Sequence, residues 1–294
     1  FSHSHSVAWR FLSPVFLHSI NFHTMGELKQ LWILPIVTSV FCLIGIVVPY
    51  AIGAATGHIQ AILPFISDGG AYSPEKNIFS LFQNISALLI IVTTYIKHLQ
   101  FVTYYQSRRL DKYWRTLSII TMLFGFLAAA GLCVVGNFSE MDELDVHDVG
   151  ALVTFFSAIF YLCFSAGLSF LTPLLCSPPV AFLRVAMAVV AIVSLVFHEI
   201  TLQFNIFVPA GTNQTEFVSG YVPEFLEPDS PFYVNHIVAT GTEWLLGFVI
   251  FSYFVTFVEE FRKASLSLPS INFNVDQRPS TSFRRQSTEE SWKL

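Results

Sequence analysis

Six apolar runs divide this chain, and each is long enough to cross a lipid bilayer as a helix. A helix rises ~1.5 Å per residue, so about 20 residues cover the roughly 30 Å hydrocarbon core. Charged residues make up 12% of the chain, about half their usual share in a soluble domain. The sequence therefore predicts an all-α, polytopic membrane protein with six transmembrane helices in one bundle. The predicted spans are Leu31–Ala55, Ile78–Ile96, Leu117–Val135, Gly150–Thr172, Val180–Gln203 and Val234–Val258.

The distribution of basic residues predicts the orientation of the bundle. Of the 15 Lys and Arg residues, 14 fall in the N-terminal segment, the second and fourth connections and the tail, and Lys76 is the exception. Because positively charged loops stay in the cytoplasm, we expect both termini to be cytoplasmic. The third and fifth connections are acidic and contain sequons at Asn137 and Asn213. These two residues are predicted glycosylation sites on the lumenal side.

The chain divides into three parts by composition. Residues 1–30 form a cytoplasmic N-terminal segment, residues 31–258 the transmembrane domain, and residues 259–294 a Ser- and Pro-rich cytoplasmic tail that we expect to be disordered. Met25 stands just before the first span, which makes residues 1–24 a candidate upstream extension. The folded part of the chain is therefore predicted to lie almost entirely in the membrane.

The first lumenal connection combines turn residues with a helix start. Asp68 and the two glycines after it have the backbone freedom that a tight turn needs. Ser73, Pro74 and Glu75 are typical of an N-cap, a first helical position and an acidic first turn. A helix is therefore predicted to begin at Pro74. Taken alone, the stretch is typical of a loop between two membrane helices.

Polar residues recur on one face of the sixth predicted helix. Three of them and a glycine, spaced three or four residues apart, lie within an arc of about 60°. A charged group at the depth of Glu243 costs about 2.5–3.5 kcal/mol, so this residue should face the bundle interior with a partner or be protonated. The four residues are His236, Thr240, Glu243 and Gly247. The candidate partners of Glu243 are Asn84 in the second helix and His198 and Glu199 in the fifth.

These residues predict a polar pocket open to the lumen. Such a pocket could bind a lipid headgroup, move a proton, or sense lumenal pH through its histidines. The alternative is that Glu243 and Asn84 hydrogen-bond the helices to one another, as polar side chains do in bilayers. The sequence favours neither reading over the other. The predicted pocket residues are Asp68, Glu75, Asn84, His147, His198, Glu199, His236 and Glu243.

Small residues predict where two helices approach each other closely. Gly125, Ala128 and Gly131 share one face of the third helix, and a stripe from His147 to Ser165 follows the fourth. We expect both faces to be packing seams that need no ligand.

Several other function classes lack support in the sequence. The Cys and His residues show no zinc-ligand spacing, so neither a metal nor a cofactor is predicted. The sequence contains no phosphate-binding loop, dinucleotide fingerprint or nucleophile elbow, so we do not expect an enzyme. The basic, aromatic second connection is predicted to lie against anionic lipid or to act as topogenic charge, and not to bind nucleic acid. Ser287 follows two arginines and resembles a basophilic kinase site.

Eight short motifs occur in a fixed order along the chain. They are Ile66-Ser67-Asp68-Gly69-Gly70, Pro74-Glu75, Phe79, Asn84, Gly136-Asn137-Phe138, His147-x-x-Gly150-Ala151, Tyr233-x-x-His236 and Glu243-Trp244. In this order they closely resemble the DNA-damage-regulated autophagy modulator (DRAM) family over the region from Met25 to Leu266. The resemblance implies six helices with both termini cytoplasmic. It also implies a lysosomal or late endosomal membrane protein that promotes autophagy without a known enzymatic reaction.

The resemblance leaves several functions open. The first is a non-enzymatic regulator of autophagy that uses the lumenal pocket. The wider superfamily implies two alternatives, a plasma-membrane adaptor of phosphoinositide-kinase complexes and a protein that remodels GPI-anchor lipids. A further alternative, a lipid transporter, rests on Asn84 and Glu243, which we expect to face one lumenal cavity within the membrane. The expected partners are membrane lipids, together with autophagy or phosphoinositide-kinase components.

Overall fold

The computed structural model describes residues 27–212 and 225–267. Within these ranges six helices are long and apolar enough to cross a membrane, so the predicted six-helix fold is confirmed. The first five are α1 Ile33–Thr56, α2 Glu75–Arg108, α3 Lys112–Asn137, α4 Leu144–Phe170 and α5 Pro178–Phe204. The sixth span consists of α6 Tyr233–Tyr253, a 3₁₀ helix Phe254–Phe257 and α7 Val258–Arg262.

Several predictions fall outside the described residues. These are the upstream extension at residues 1–24, the sequon at Asn213, the kinase site at Ser287 and the tail beyond residue 267.

Two short strands stand before and after the helices in the chain. Strand β1 Glu27–Leu28 pairs antiparallel with β2 Leu266–Ser267, and Glu27 lies opposite Ser267. The segments that precede and follow the helices therefore contact each other.

Two helical segments extend beyond their predicted limits. Helix α2 has 34 residues and ends at Arg108, so Lys97 lies inside a helix and not in a connection. Residues up to Arg262 are helical in α7, which moves the predicted start of the tail from residue 259 to beyond this helix. Both extensions carry a buried charged residue, Lys97 in α2 and Glu260 in α7. The apolar runs underestimate these helices because the charges have partners inside the bundle.

The small-residue faces of α3 and α4, each predicted to be a packing seam, approach each other closely. A Cβ atom at Gly131 would lie 2.5 Å from Oγ1 of Thr154, and one at Gly150 would lie 2.7 Å from Cγ1 of Val134. Such distances leave no room for a larger side chain. The glycines therefore allow these two helices to pack in direct contact.

The connection between α1 and α2 contains a 3₁₀ helix, Ser67–Gly70, in which Asp68, Gly69 and Gly70 are buried, in place of the predicted tight turn. The glycines with positive φ in the described residues are Gly57 and Gly211. Gly69 and Gly70 are required for a different reason, because a Cβ at Gly69 would lie 3.1 Å from the Tyr50 backbone N and one at Gly70 2.7 Å from the Phe79 ring. The turn prediction was therefore wrong about the role of these glycines. They allow this segment to lie directly against α1 and α2.

The two ends of the bundle are distinguished by their charges. We use the name acidic end for the end formed by the α1–α2, α3–α4 and α5–α6 connections, and basic end for the end formed by the α2–α3 and α4–α5 connections and α7. The acidic end is the one predicted from sequence to be lumenal. Helix α2 begins there at Glu75, one residue after the predicted start.

Candidate functional site

The predicted polar face of α6 is buried in the bundle. His236, Thr240, Glu243 and Gly247 are all buried, and the Glu243 residue is 7% exposed. Oε2 of Glu243 accepts a hydrogen bond from the backbone N–H of Ile66 at 3.1 Å. The prediction that Glu243 faces the interior is confirmed, and its hydrogen-bond donor is a backbone group of the α1–α2 connection.

Trp244, the residue after Glu243, also binds the α1–α2 connection. Nε1 of Trp244 donates to the Pro64 carbonyl at 2.8 Å, and the Trp244 ring packs edge-on against Tyr50 of α1. Two consecutive side chains of α6 therefore bind the backbone of residues 64–66. This explains why a connecting segment is buried with its polar groups satisfied.

Two further carboxyl groups lie beside Glu243. Oδ2 of Asp68 accepts from the Phe65 backbone N–H at 2.7 Å. Burial raises the pKa of Asp68 to about 6. Burial, then the charge of Asp68 and more weakly that of Glu243, raises the pKa of Glu140 well above its usual range. The sequence placed Glu140 among the lumenal acidic residues without assigning it to the pocket. We call Asp68, Glu140 and Glu243 the carboxyl cluster.

A cavity of about 300 Å³ opens beside the carboxyl cluster. Its wall is mostly apolar, and its buried polar lining residues are Gln83, His147, Thr154, His198 and Glu243. Its ionisable wall residues are His147, Asp148, His198, Glu199 and Glu243, and no Lys or Arg of the described residues lines it. Of the eight predicted pocket residues, four line this cavity, namely His147, His198, Glu199 and Glu243, whereas Asp68, Glu75, Asn84 and His236 do not.

The cavity reaches the lateral surface of the bundle between α4 and α5. Asp148 is exposed and Glu199 is half-buried there. Leu152 of α4 and Leu202 of α5 also line the cavity, and they are 42% and 41% exposed. The mouth thus has carboxyl groups beside apolar side chains at the surface that would face lipid.

The three predicted histidines are held by neutral partners. Nδ1 of His147 donates to the Phe138 carbonyl at 2.7 Å, and Nδ1 of His198 to the Ala239 carbonyl at 3.0 Å. The His236 ring packs edge-on against Phe65, with 5.2 Å between ring centroids. The predicted pairing of His198 with Glu243 is therefore wrong, because the imidazole is turned to the backbone of α6.

Asn84 is not a partner of Glu243, which corrects the prediction. Its amide forms reciprocal hydrogen bonds of 2.9 and 3.1 Å with the amide of Asn137 in α3. The neighbouring residue Gln83 is 1% exposed and lines the cavity instead. Because successive residues of a helix differ by about 100° in direction, a shift of one position changes which polar residue faces the cavity.

Two other predicted residues lie in separate polar contacts. Glu75 is fully buried, and its Oε1 lies 2.6 Å from Nδ1 of His58. At the Asn137 sequon, the Ser139 hydroxyl is buried and donates to the Gly70 carbonyl at 3.1 Å. Glycosylation of Asn137 stays a prediction.

The basic end contains a second buried charged cluster, which sequence reasoning missed. The Glu260 carboxylate lies 2.8 Å from Nζ of Lys97 and accepts two hydrogen bonds from Arg184, at 2.8 and 2.7 Å. The three residues are at most 2% exposed. We call them the ion-pair cluster. Lys97 and Arg184 were interpreted as topogenic charges of connections, whereas both lie within helices and neutralise Glu260.

The remaining donors of the Arg184 guanidinium are also satisfied. Nη1 donates to the Ser169 hydroxyl at 2.7 Å, and Nη2 to the Thr256 carbonyl at 2.8 Å. The guanidinium carbon lies 4.7 Å from the centroid of the Phe257 ring. The hydrogen bonds and ion pairs of Arg184 and Glu260 indicate a structural role for the ion-pair cluster. Its residues connect α2, α4, α5 and α7.

The described residues contain no group of three or more His, Cys, Asp or Glu side chains arranged to hold a metal ion.

Comparison with known proteins identifies the family of this fold. A model of the Frag1/DRAM/Sfk1/Cwh43P N-terminal domain matches residues 30–264. This chain belongs to that family. The match covers all six spans and both buried clusters. No solved structure matches the chain.

Named relatives within this family extend over most of the chain. DNA damage-regulated autophagy modulator protein 1 of Xenopus laevis is 25% identical over 236 residues, which are 80% of this chain and 92% of the relative. DNA damage-regulated autophagy modulator protein 2 of Homo sapiens is 28% identical over 221 residues, 74% of this chain and 79% of the relative. Transmembrane protein 150A of Xenopus laevis is 28% identical over 204 residues, 69% of this chain and 63% of the relative.

Proposed function

We propose that this protein is a non-enzymatic regulator of autophagy in the membrane of lysosomes or late endosomes, and that it acts through the cavity at its acidic end. The relatives named autophagy modulators match between 71% and 80% of this chain and support the process. The multipass fold supports a role within a membrane. The lumenal position of the acidic end is the expectation from the distribution of Lys and Arg.

The observation that carries the proposal is the carboxyl cluster beside the cavity. Three carboxyl groups are buried together, and none of the ion pairs among the described residues involves them. Burying a carboxyl group without a paired cation costs free energy, so such a cluster is expected to be retained for folding or for binding. Burial raises the pKa of Asp68 to about 6, which is suited to a response to the acidic lumen of a lysosome.

The arrangement of possible nucleophiles supports a non-enzymatic role. The His98 imidazole and the Ser118 hydroxyl are 2.8 Å apart, in the manner of a base and a nucleophile. The space beside them is about 10 Å³, roughly the size of one water molecule. A substrate has no room at this pair.

Genetic rescue tests the proposal. In cells that lack the endogenous protein, the full chain should restore autophagic flux, measured as lysosome-dependent turnover of a cargo reporter. Glu243→Gln should fail to restore it, although the variant reaches the same membrane in the same amount. Glu143→Gln is the matched control, because Glu143 is exposed at the acidic end and does not line the cavity. Full rescue by Glu243→Gln would contradict the role of the cavity.

Localisation tests the remaining part of the proposal. The tagged chain should co-localise with lysosomal and late endosomal markers. Residence at the plasma membrane would contradict the proposal and favour the adaptor function instead.

A further inference from the structure

We infer that the cavity at the acidic end binds an amphiphilic amine, with its ammonium group at Glu243 and Gln83 and its hydrocarbon chain directed to the mouth between α4 and α5. The inference deepens the proposed function and rests on it for the importance of this cavity in cells. It names the chemical class of the ligand from the polarity, charge and shape of the site.

The inner side of the cavity offers acceptors without matching donors. Gln83 is 1% exposed, and its Oε1 has no hydrogen-bond partner among the described residues. Oε2 of Glu243 has a single donor, the Ile66 backbone N–H. A buried acceptor that lacks a donor costs free energy. An ammonium group has several N–H donors and would satisfy both side chains at once.

The charge of the wall favours a cation. The carboxyls that line the cavity belong to three helices: Asp148 in α4, Glu199 in α5 and Glu243 in α6. Two further carboxyls, those of Asp68 and Glu140, stand behind Glu243. With no Lys or Arg on the described wall, an anionic headgroup would be repelled by these carboxylates and would have no fixed cation to pair with.

The other chemistry of the wall favours a hydrocarbon chain. Phe79, Leu132, Phe155, Ile250 and Phe251 supply much of the surface between the inner side and the mouth. The volume of about 300 Å³ is at the small end of ligand pockets. The mouth has exposed Leu152 and Leu202, so the rest of a long chain would continue into the lipid beside α4 and α5.

Protons should compete with the amine for this site. The titratable groups that line it are His147, Asp148, His198, Glu199 and Glu243. Three more are adjacent to its lining: Asp68 and Glu140, which interact with Glu243, and His236, which packs against Phe65. Acidification protonates the carboxyls and removes the negative charge that attracts the ammonium group, and any protonated histidine adds repulsion. Affinity is therefore expected to be higher at neutral pH than at acid pH.

Binding to the purified full chain in lipid nanodiscs tests the inference. The probe is dodecylamine, and the matched probes are dodecanol and dodecanoate, which have the same chain with a neutral or anionic headgroup. Dodecylamine should bind saturably at neutral pH, and about tenfold or more tighter than either matched probe. Equal affinity for dodecanol would overturn the recognition of the ammonium group. Spermidine tests a soluble source of the amine, and its binding as tightly as dodecylamine would overturn the amphiphile assignment.

Two variants separate the headgroup from the chain. Glu243→Gln should weaken dodecylamine binding about tenfold or more, and Glu143→Gln should leave it unchanged. Leu152→Trp narrows the mouth and leaves every carboxyl in place, so it should also reduce binding. Unchanged binding by both Glu243→Gln and Leu152→Trp would overturn the inference. Because these measurements use purified protein, a failure to bind is distinct from a failure to restore autophagy.

Discussion

The helix bundle buries carboxyl groups at both of its ends, and the two ends neutralise them differently. At the basic end Glu260 is matched by Lys97 and Arg184, and the guanidinium is fully hydrogen-bonded. At the acidic end Asp68, Glu140 and Glu243 lie together without an ion pair among the described residues. Fixed cations offset the cost of burying Glu260, whereas burial of Asp68 and Glu140 raises their pKa values and so favours their protonated forms.

This difference separates a structural element from a responsive one. The partners of Glu260 are side chains that belong to the fold, so they cannot leave without unfolding the basic end. Protons exchange with the solvent, and an external cation could replace them. We therefore expect the ion-pair cluster mainly to stabilise the fold, and the proposed regulation to depend on the carboxyl cluster.

The largest effect is expected from removing the carboxylate of the ion-pair cluster. Glu260→Gln leaves two buried cations without their counter-ion, which should lower the free energy of unfolding by about 3–5 kcal/mol. Glu243→Gln should cost less than about 1 kcal/mol, because the glutamine Oε1 can still accept from the Ile66 N–H. Thermal unfolding in detergent measures both variants.

Glu259→Gln is the control for this comparison. Glu259 is adjacent to Glu260, but its side chain is 42% exposed and pairs with Lys263, so its loss should change stability little. Equal destabilisation by Glu260→Gln and Glu259→Gln would contradict the structural role of the ion-pair cluster.

The second largest effect is a loss of stability as the pH rises. The pKa of Asp68 is raised by burial from 3.8 to about 6, so the folded protein binds this proton more tightly than the unfolded chain does. The stabilisation is fully present below about pH 4 and is lost as the pH rises through about 6, by roughly 2–3 kcal/mol for this group. The raised pKa of Glu140 acts in the same direction. Unfolding measured across this range should show the decline.

Asp68→Asn tests the origin of this decline. The asparagine keeps an acceptor for the Phe65 N–H but does not titrate, so the pH dependence should become shallower. Asp145→Asn, at an exposed position of α4, should keep the slope of the original chain. A stability that increases between about pH 5 and 7 would contradict the protonated carboxyl cluster.

A third effect concerns the segment that carries Asp68. Gly70→Ala would place a Cβ 2.7 Å from the Phe79 ring, and overpacking of this kind costs about 1–3 kcal/mol. Gly167→Ala in α4 meets no neighbouring atom within 4 Å, so it should be neutral or stabilising by up to about 1 kcal/mol. Thermal unfolding of the two variants compares them directly. Equal stability of the two variants would contradict the close packing of the 3₁₀ helix against Phe79.

The smallest effect is expected at the amide pair of α2 and α3. Asn84→Ala removes the reciprocal hydrogen bonds to Asn137, which are partly exposed, and should cost about 0.5–1.5 kcal/mol. Gln83→Ala, one residue earlier, should change ligand binding more than Asn84→Ala does. The reverse order in a binding assay would favour the original prediction that Asn84 serves the cavity.

The sequence predicts the acidic end better than the basic end, for physical reasons. Glu243 follows a helical period within a long apolar run, so its burial can be read from local spacing. Lys97, Arg184 and Glu260 are far apart in the chain, and each lies near the end of an apolar run. Their pairing is a contact between distant helices, which local patterns do not contain.

The prediction of individual residues in the candidate site was limited for the same reason, because local sequence patterns contain no information about contacts between distant segments. The choice between Gln83 and Asn84 depends on a rotation of about 100° between neighbouring helical residues. Gly69 and Gly70 were read as turn residues because glycine is typical of turns, whereas neighbouring α1 and α2 side chains and backbone leave no space for a Cβ. Glu140 lies in the α3–α4 connection and Asp68 in the α1–α2 connection. No sequence motif contains both residues, so their proximity could not be predicted.

Infrared spectroscopy of the purified chain tests the contrast between the two clusters most directly. The carbonyl stretch of protonated carboxyl groups should be present near pH 5 and should decrease as the pH rises through about 6. Asp68→Asn should remove part of this band, whereas Glu260→Gln should leave it unchanged. A titrating band that persists in Asp68→Asn and disappears in Glu260→Gln would contradict the account, because the exchangeable proton would then belong to the basic end.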